Sequence, residues 1–319
     1  MRDYQQLARE LVRALRGRRS QAQASRRLGY ASNVVFDWEA GRRFPTAAGT
    51  LKMARRCGID VRAAVVRFFR SDVCPEQLEL ASRAGVAWLL SHLRGNVQLG
   101  ELAAASGCSR FALSRWLKGQ TEPRLPDFLR VLDAGSLRLL DFLGELVELE
   151  RVPSLREEWQ QLRLSRELAY DAPWSHAVLR ALELEAYRQL PRHTPGLIAR
   201  WLGIPPAEEE RCLSLLLQSG QIRRTRKGYR VIETRTVDTR SDPVRSRELR
   251  AFFSRVAADR LVGGAEGDFS FNLFSVSSAD LERLRTLQHA YFQELRSIVA
   301  RSEPPEHIVL TNIQLLPLV

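Results

Sequence analysis

The feature that most constrains this chain is an internal repeat with a period of 78 residues. Residues 20–45 (SQAQASRRLGYASNVVFDWEAGRRFP) align with residues 98–123 (QLGELAAASGCSRFALSRWLKGQTEP), and the register holds without gaps from Leu11/Leu89 to Leu51/Leu129. Nine of these 41 positions are identical, against roughly three expected from average composition. Their kind matters more than their number. Leu11/Leu89, Leu15/Leu93, Trp38/Trp116 and Leu51/Leu129 are apolar. Gly17/Gly95, Gly29/Gly107, Gly41/Gly119 and Pro45/Pro123 set the path of the backbone. Arg16/Arg94 completes the set.

Each copy reads as a compact helical unit. A first amphipathic helix ends near Gly17 or Gly95, and a short second helix (20–28, 98–106) runs into Gly29 or Gly107, where a tight turn favours positive φ. A third helix buries Val35 and Trp38, or Leu113 and Trp116, three residues apart on one face. Gly41 or Gly119 stops it, and Pro45 or Pro123 prevents its continuation. The bland alternative is a helical bundle in which these glycines merely end helices.

Composition adds the location of charge. The net charge is +12, from 49 basic and 37 acidic residues. Residues 1–70 hold 16 Lys/Arg against 5 Asp/Glu, a net of +11. A basic module argues for nucleic acid more strongly than a high overall pI does. No apolar run reaches the roughly 18 residues of a membrane span, and the start, MRDYQQLARE, lacks the apolar core of a signal peptide. Cys57, Cys74, Cys108 and Cys212 lie far apart, with no CxxC pair, which argues against a disulfide scaffold and a structural zinc site. A cytoplasmic, nucleoid-associated protein without membrane, metal or cofactor is expected.

The first copy, with Ser20, Gln21, Gly29, Glu39, Gly41 and Pro45, resembles the lambda-repressor/Cro-type (XRE-like) helix-turn-helix family. The second has Leu99 in place of the glutamine and Leu117 in place of the glutamate, but offers Ser109 as an N-cap. The resemblance implies that the start of the third helix meets base edges in the major groove. Carried over by position, that nominates Ser32, Asn33 and Phe36 in the first copy, with Asp37 weakest because carboxylates repel phosphate. In the second it nominates Arg110, Phe111, Ser114 and Arg115. Asparagine pairs with adenine and arginine with guanine. Phosphate contacts fall to Arg18, Arg19, Gln21, Arg42, Arg43 and Lys118.

Beyond a connecting helix (153–169), SHAVLRALELEAYRQL, TPGLIARWLG and PPAEEERCLSLLLQSG read as three helices. QIRRTRKGYRVIET reads as a hairpin turning at Lys227-Gly228. This predicts a winged helix. Arg223, Arg224, Arg226 and Lys227 could meet DNA from the wing, but Glu208, Glu209 and Glu210 at the start of the third helix would oppose it. A structural or protein-contacting winged helix is therefore expected, the alternative being a third DNA-contacting module. A helix over 243–262 follows, with Leu249, Phe252, Phe253, Val256 and Leu261 on its apolar face. Strands are expected around Phe269–Val276 and Ile308–Leu316, flanking a long helix capped by Ser278. Two strands are too few for a sheet, and the helix stripe Leu281, Leu284, Leu287, Tyr291, Leu295 and Ile298 is wide. A homodimer through this C-terminal domain is expected, the alternative being the helix at 59–70 (Val61, Val65, Phe68, Phe69).

Through SHAVLRALE, IARWLGIP, FSVSSADL and the ending TNIQLLPL, residues 171–319 resemble the C-terminal domain of a bacterial helix-turn-helix-linked family of unknown function. That resemblance implies transcriptional regulation, makes 85–150 the family's own helix-turn-helix, and makes the first copy an extra module. The whole reads as mainly α: helix-turn-helix modules at 1–72 and 73–150, a connecting helix at 151–174, a winged-helix-like module at 175–240 and a small α/β domain at 241–319. Ser175-His176 could suggest a nucleophile and base, but neighbours on a helix diverge, and no enzyme is expected. The expected function is sequence-specific DNA binding in transcription regulation. The alternative is a protein-interaction adaptor touching nucleic acid weakly through the first module.

Overall fold

A computed structural model of the chain describes residues 2–69, 74–95, 97–136, 138–232, 237, 239, 242–299 and 302–318. The described residues are mainly α-helical, with one two-stranded antiparallel sheet. The chain divides into two compact units, Met1–Trp159 and Gln160–Val319. The expected boundaries at 72/73 and 240/241 lie outside the described residues.

In the first unit α1 (Tyr4–Arg16), α2 (Gln21–Arg27), α3 (Val34–Glu39), α4 (Ala47–Arg56) and α5 (Val61–Phe69) precede α6 (Arg83–Arg94), α7 (Leu99–Ser106), α8 (Arg110–Leu117), α9 (Leu125–Ser136) and α10 (Leu139–Gly144). The period of 78 carries Arg16 onto Arg94, Gln21 onto Leu99, Ala47 onto Leu125 and Val61 onto Leu139, so helix boundaries repeat with the sequence. The local causes are visible. Ser20 and Gln23 form a capping box at α2. Gly29 and Gly107 take φ of 91° and 65°, which a side chain would resist.

The two copies face each other. Ala47 N–H donates to Pro123 O at 3.0 Å, and Leu125 N–H donates to Pro45 O at 2.9 Å. Thr46 and Arg124 thereby form an antiparallel bridge. Arg67 Nε meets a carboxylate oxygen of Glu145 at 2.6 Å, again across 78 residues. A residue that touches its own counterpart lies on a two-fold axis, so the copies pack as an isologous pair within one chain. The other contacts obey the same symmetry: α1 packs on α9 as α6 packs on α4, and α5 packs on α10. Phe68 and Phe142 meet at 5.3 Å near this axis, with the buried Arg138 donating to Phe68 O at 3.0 Å. Val61, Val65, Phe68 and Phe69 are therefore buried inside the unit. That corrects their reading as an alternative face for a second chain.

α11 (Arg156–Asp171) follows two short 3-10 turns, Leu149–Arg151 and Pro153–Leu155. The second unit continues with α12 (Trp174–Ala181), α13 (Glu185–Arg188), α14 (Leu197–Leu202), α15 (Pro206–Gln218), the hairpin β1 (Ile222–Thr225) and β2 (Gly228–Val231), α16 (Pro243–Val262) and α17 (Ser278–Val299). The single helix expected from SHAVLRALELEAYRQL is broken between α12 and α13. Leu184 there takes an extended ψ of 139°, and the break lets Leu182, Leu184 and Tyr187 all join the core with Ile198, Leu213 and Leu216. Thr225 pairs with Gly228, which puts the turn at Arg226-Lys227, one residue earlier than expected.

Two expectations fail at the C-terminus. Residues 268–277 and 303–318 form no strand, because no neighbouring strand among the described residues supplies a ladder. The cap of α17 is Ser277, whose Oγ accepts from Asp280 N–H at 3.1 Å; Ser278 is the first helical residue. Phe252 and Phe253 of α16 pack edge-on against Trp174. None of Leu249, Phe252, Phe253, Val256 and Leu261 is fully buried.

Ser175, on α12, is completely buried, its hydroxyl 3.5 Å from Leu168 O. Burial, reinforced by the charge of Arg180, pushes the pKa of the adjacent His176 down from 6.5 to about 4. The unfolded chain takes up this proton near pH 6.5 and the folded one only near pH 4. Stability therefore falls as pH drops through that window, by about 3 kcal/mol from this group, and levels off below it. A His176→Gln variant should lose that part of the pH dependence in urea unfolding; an unchanged profile would mean the imidazole is solvated.

Candidate nucleic-acid interface

In the first copy the turn between α2 and α3 is pinned by Ser25, whose buried hydroxyl accepts from Val35 N–H at 3.1 Å. The same oxygen lies 2.9 Å from Gln21 O and 3.1 Å from Asn33 Oδ1. Ser32, Asn33 and Phe36 are exposed beside this anchor. Asp37 lies 3.6 Å from Arg42, and the Arg42 guanidinium sits 5.1 Å above the Phe36 ring. The structure thus groups Phe36, Asp37 and Arg42, and gives Asp37 a role as a partner of arginine. Arg18 and Arg43 are exposed, while Arg19 is half-buried with its guanidinium 3.4 Å from Arg16 O.

Gln21 is tied inward. Its amide donates to Glu39 at 2.8 Å, and Arg16 donates to the same carboxylate through Nε at 2.5 Å and Nη2 at 3.3 Å. Glu39 is only 7% exposed, so this network clamps α1, α2 and α3 together. The second copy keeps Arg94 but has Leu99 and Leu117 at the other two positions, replacing both polar partners with apolar ones. Removing one partner of a buried ion pair strands the other. Glu39→Ala should cost the first unit roughly 3 kcal/mol in urea unfolding, and Gln21→Leu/Glu39→Leu, which transplants the second copy's solution, should recover at least half. A loss below about 1 kcal/mol would reduce the clamp to a surface pair.

In the second copy Ser109 caps α8 by accepting from Ala112 N–H at 3.1 Å. Arg110, Phe111, Arg115 and Lys118 are exposed and Ser114 is half-buried. Phe111 is 85% exposed, far more than a ring held by its own fold requires. The corresponding positions of the copies differ throughout: Ser32 and Arg110, Asn33 and Phe111, Phe36 and Ser114, Asp37 and Arg115.

In the second unit Arg223, Arg224, Arg226 and Lys227 are exposed on the hairpin, and Arg223 pairs across the ladder with the exposed Arg230. Like charges directly opposite each other destabilise a ribbon. The glutamates of α15 divide. Glu208 sits 3.3 Å from Arg211. Glu209, 1% exposed, turns inward and accepts from Ala199 N–H at 2.6 Å. Its second oxygen has no hydrogen-bond partner and lies 3.7 Å from His193 Nε2. His193 Nδ1 is 3.2 Å from the Tyr187 hydroxyl, which accepts from Tyr229 N–H at 3.2 Å. Burial lowers the pKa of His193, with Glu209 opposing the shift. This cluster fastens β2 at Tyr229, beside the turn of the hairpin, and no spacing in the sequence announces it.

Residues 154–318 match the model of a domain of unknown function, DUF4423. The chain belongs to the DUF4423 family. The DUF4423 match takes in α11, whose Leu168 joins the core of the second unit, and stops short of the two repeated copies. No curated protein and no solved structure matches the chain. Among the described residues the four cysteines are free thiols and no three metal-ligating side chains gather. No helix among them is long and apolar enough to cross a membrane.

Proposed function

We propose that this DUF4423 chain is a sequence-specific DNA-binding transcription regulator of the nucleoid. Its two repeated copies act as lambda-repressor-like modules that read the major groove. The observation that carries this reading is the division of each third helix. Val35, Trp38 and Leu113 are spent on the core, while Ser32, Asn33 and Phe36, or Arg110, Phe111 and Arg115, stay outside it. The excess of +11 in residues 1–70 supplies phosphate attraction beside the first of these surfaces. The basic hairpin offers a further phosphate contact through Arg223, Arg224, Arg226 and Lys227.

We further propose that a second copy of the chain covers the C-terminal segment. Phe271 is 92% exposed, and Phe269, Leu273, Phe274, Leu287, Ile298, Val309 and Leu316 are exposed with it. Backbone at 268–277 and 303–318 lies in no helix or strand, which also leaves hydrogen-bonding groups for a partner to pair.

Selection of binding sequences from a random duplex library by the full chain tests the function. A discrete enriched sequence is expected. Weak binding indifferent to sequence would overturn this reading and favour the adaptor.

A further inference from the structure

We infer that a single chain reads a bipartite operator whose two half-sites differ in sequence, lie in inverted orientation and are centred one helical turn apart. This rests on the DNA-binding reading above and adds the class of site to it. The geometry comes from the internal two-fold axis. The Ala47–Pro123 and Leu125–Pro45 hydrogen bonds are images of each other, as are the two ends of the Thr46–Arg124 bridge. Points related by a two-fold axis lie at equal heights along it and on opposite sides. The surfaces around α3 and α8 can therefore approach one duplex together, and what they read on it is inverted.

Chain length limits their separation. Thr46, in a bridge, lies within about 3 Å of the axis. Arg43 N–H reaches back to Asp37 O at 3.4 Å, so the path from Thr46 to Asp37 spans at most about 15 Å. Asp37 back to Ser32 adds at most about 12 Å, one helical turn and two extended residues. Half-sites one turn apart require each surface to stand about 17 Å from the axis, within this reach. Two turns require about 34 Å, beyond it.

The chemistry of the surfaces makes the half-sites unlike. Where one copy presents Ser32, Asn33 and Phe36, the other presents Arg110, Phe111 and Ser114. Asn33 suits adenine, Arg110 suits guanine O6 and N7, and the bare ring of Phe111 suits a thymine methyl. The flanks are unlike as well. Arg42 and Arg43 correspond to Gln120 and Thr121, so the first copy grips phosphate more strongly than the second.

The test is to repeat the library selection with the full chain and with Asn33→Ala and Arg110→Ala, both at exposed positions. The expected wild-type site holds two different half-sites, inverted, with centres about 10 base pairs apart. Each variant should bind it about tenfold or more weakly and lose preference in one half only, a different half for each. A single half-site, two identical half-sites, a two-turn spacing, or both variants relaxing the same base pairs would overturn this inference while leaving DNA binding intact. No enriched sequence at all would overturn the function beneath it.

Discussion

Replacing Arg18, Arg19, Arg42 and Arg43 together by glutamine is expected to flatten the dependence of log K on log salt by about one unit for each phosphate these arginines neutralise, up to about four units. Affinity in low salt should fall by orders of magnitude, while the preferred sequence stays the same, because phosphate contacts position a protein without reading bases. The four should contribute unequally. Arg18 and Arg43 are exposed and should each account for a full unit. Arg42 already has Asp37 at 3.6 Å and the Phe36 ring beneath it, so reaching a phosphate means leaving an exposed pair worth under about 1 kcal/mol. Arg19 is half-buried against Arg16 O and should contribute least. Filter binding across a salt series measures the slopes, and an unchanged slope for the quadruple variant would place these arginines away from the DNA.

The second large effect concerns association. The full chain should sediment as a dimer at tens of micromolar, and Phe271→Glu combined with Leu287→Glu should convert it to a monomer. α17 is 22 residues long, yet none of its described side chains is fully buried. A helix of that kind in water draws its stability from packing more than from propensity. Phe271 and Leu287 are exposed in a single chain, so a charge at either costs the monomer little. At the centre of an apolar interface each should cost roughly 2 kcal/mol or more. A wild-type chain that sediments as a monomer at that concentration would remove the C-terminal segment as an interface.

What could be read in advance divides along physical lines. The helix boundaries of the first unit were legible because reversing a chain demands particular residues at particular places. Gly29, Gly107, Pro45 and Pro123 are such residues, and two copies in register state the demand twice. That the copies face each other was not legible. The bond from Ala47 N–H to Pro123 O uses only backbone, which every residue offers. The Glu39 clamp shows in the sequence only when Gln21 and Glu39 are set beside Leu99 and Leu117. The strands expected at Phe269–Val276 and Ile308–Leu316 show the opposite difficulty. Alternation tells which side chains are apolar, but a strand exists only where another lies alongside, and that depends on residues far away in sequence or in another chain. The inward turn of Glu209 was likewise invisible, since a carboxylate at the start of a helix is satisfied equally well in solvent.

The bridge between Thr46 and Arg124 has a consequence for how the first unit behaves on dilution. Two modules held together as separate molecules come apart at low concentration, and their stability cannot be stated without a protomer concentration. Here the same pairing is intramolecular, so the Met1–Trp159 unit should melt at one temperature whether the protein is scarce or abundant. Joining the copies also frees them to diverge. In a symmetric pair of identical chains every substitution strikes both sides at once, whereas here Asn33 and Phe111 can each change without the other.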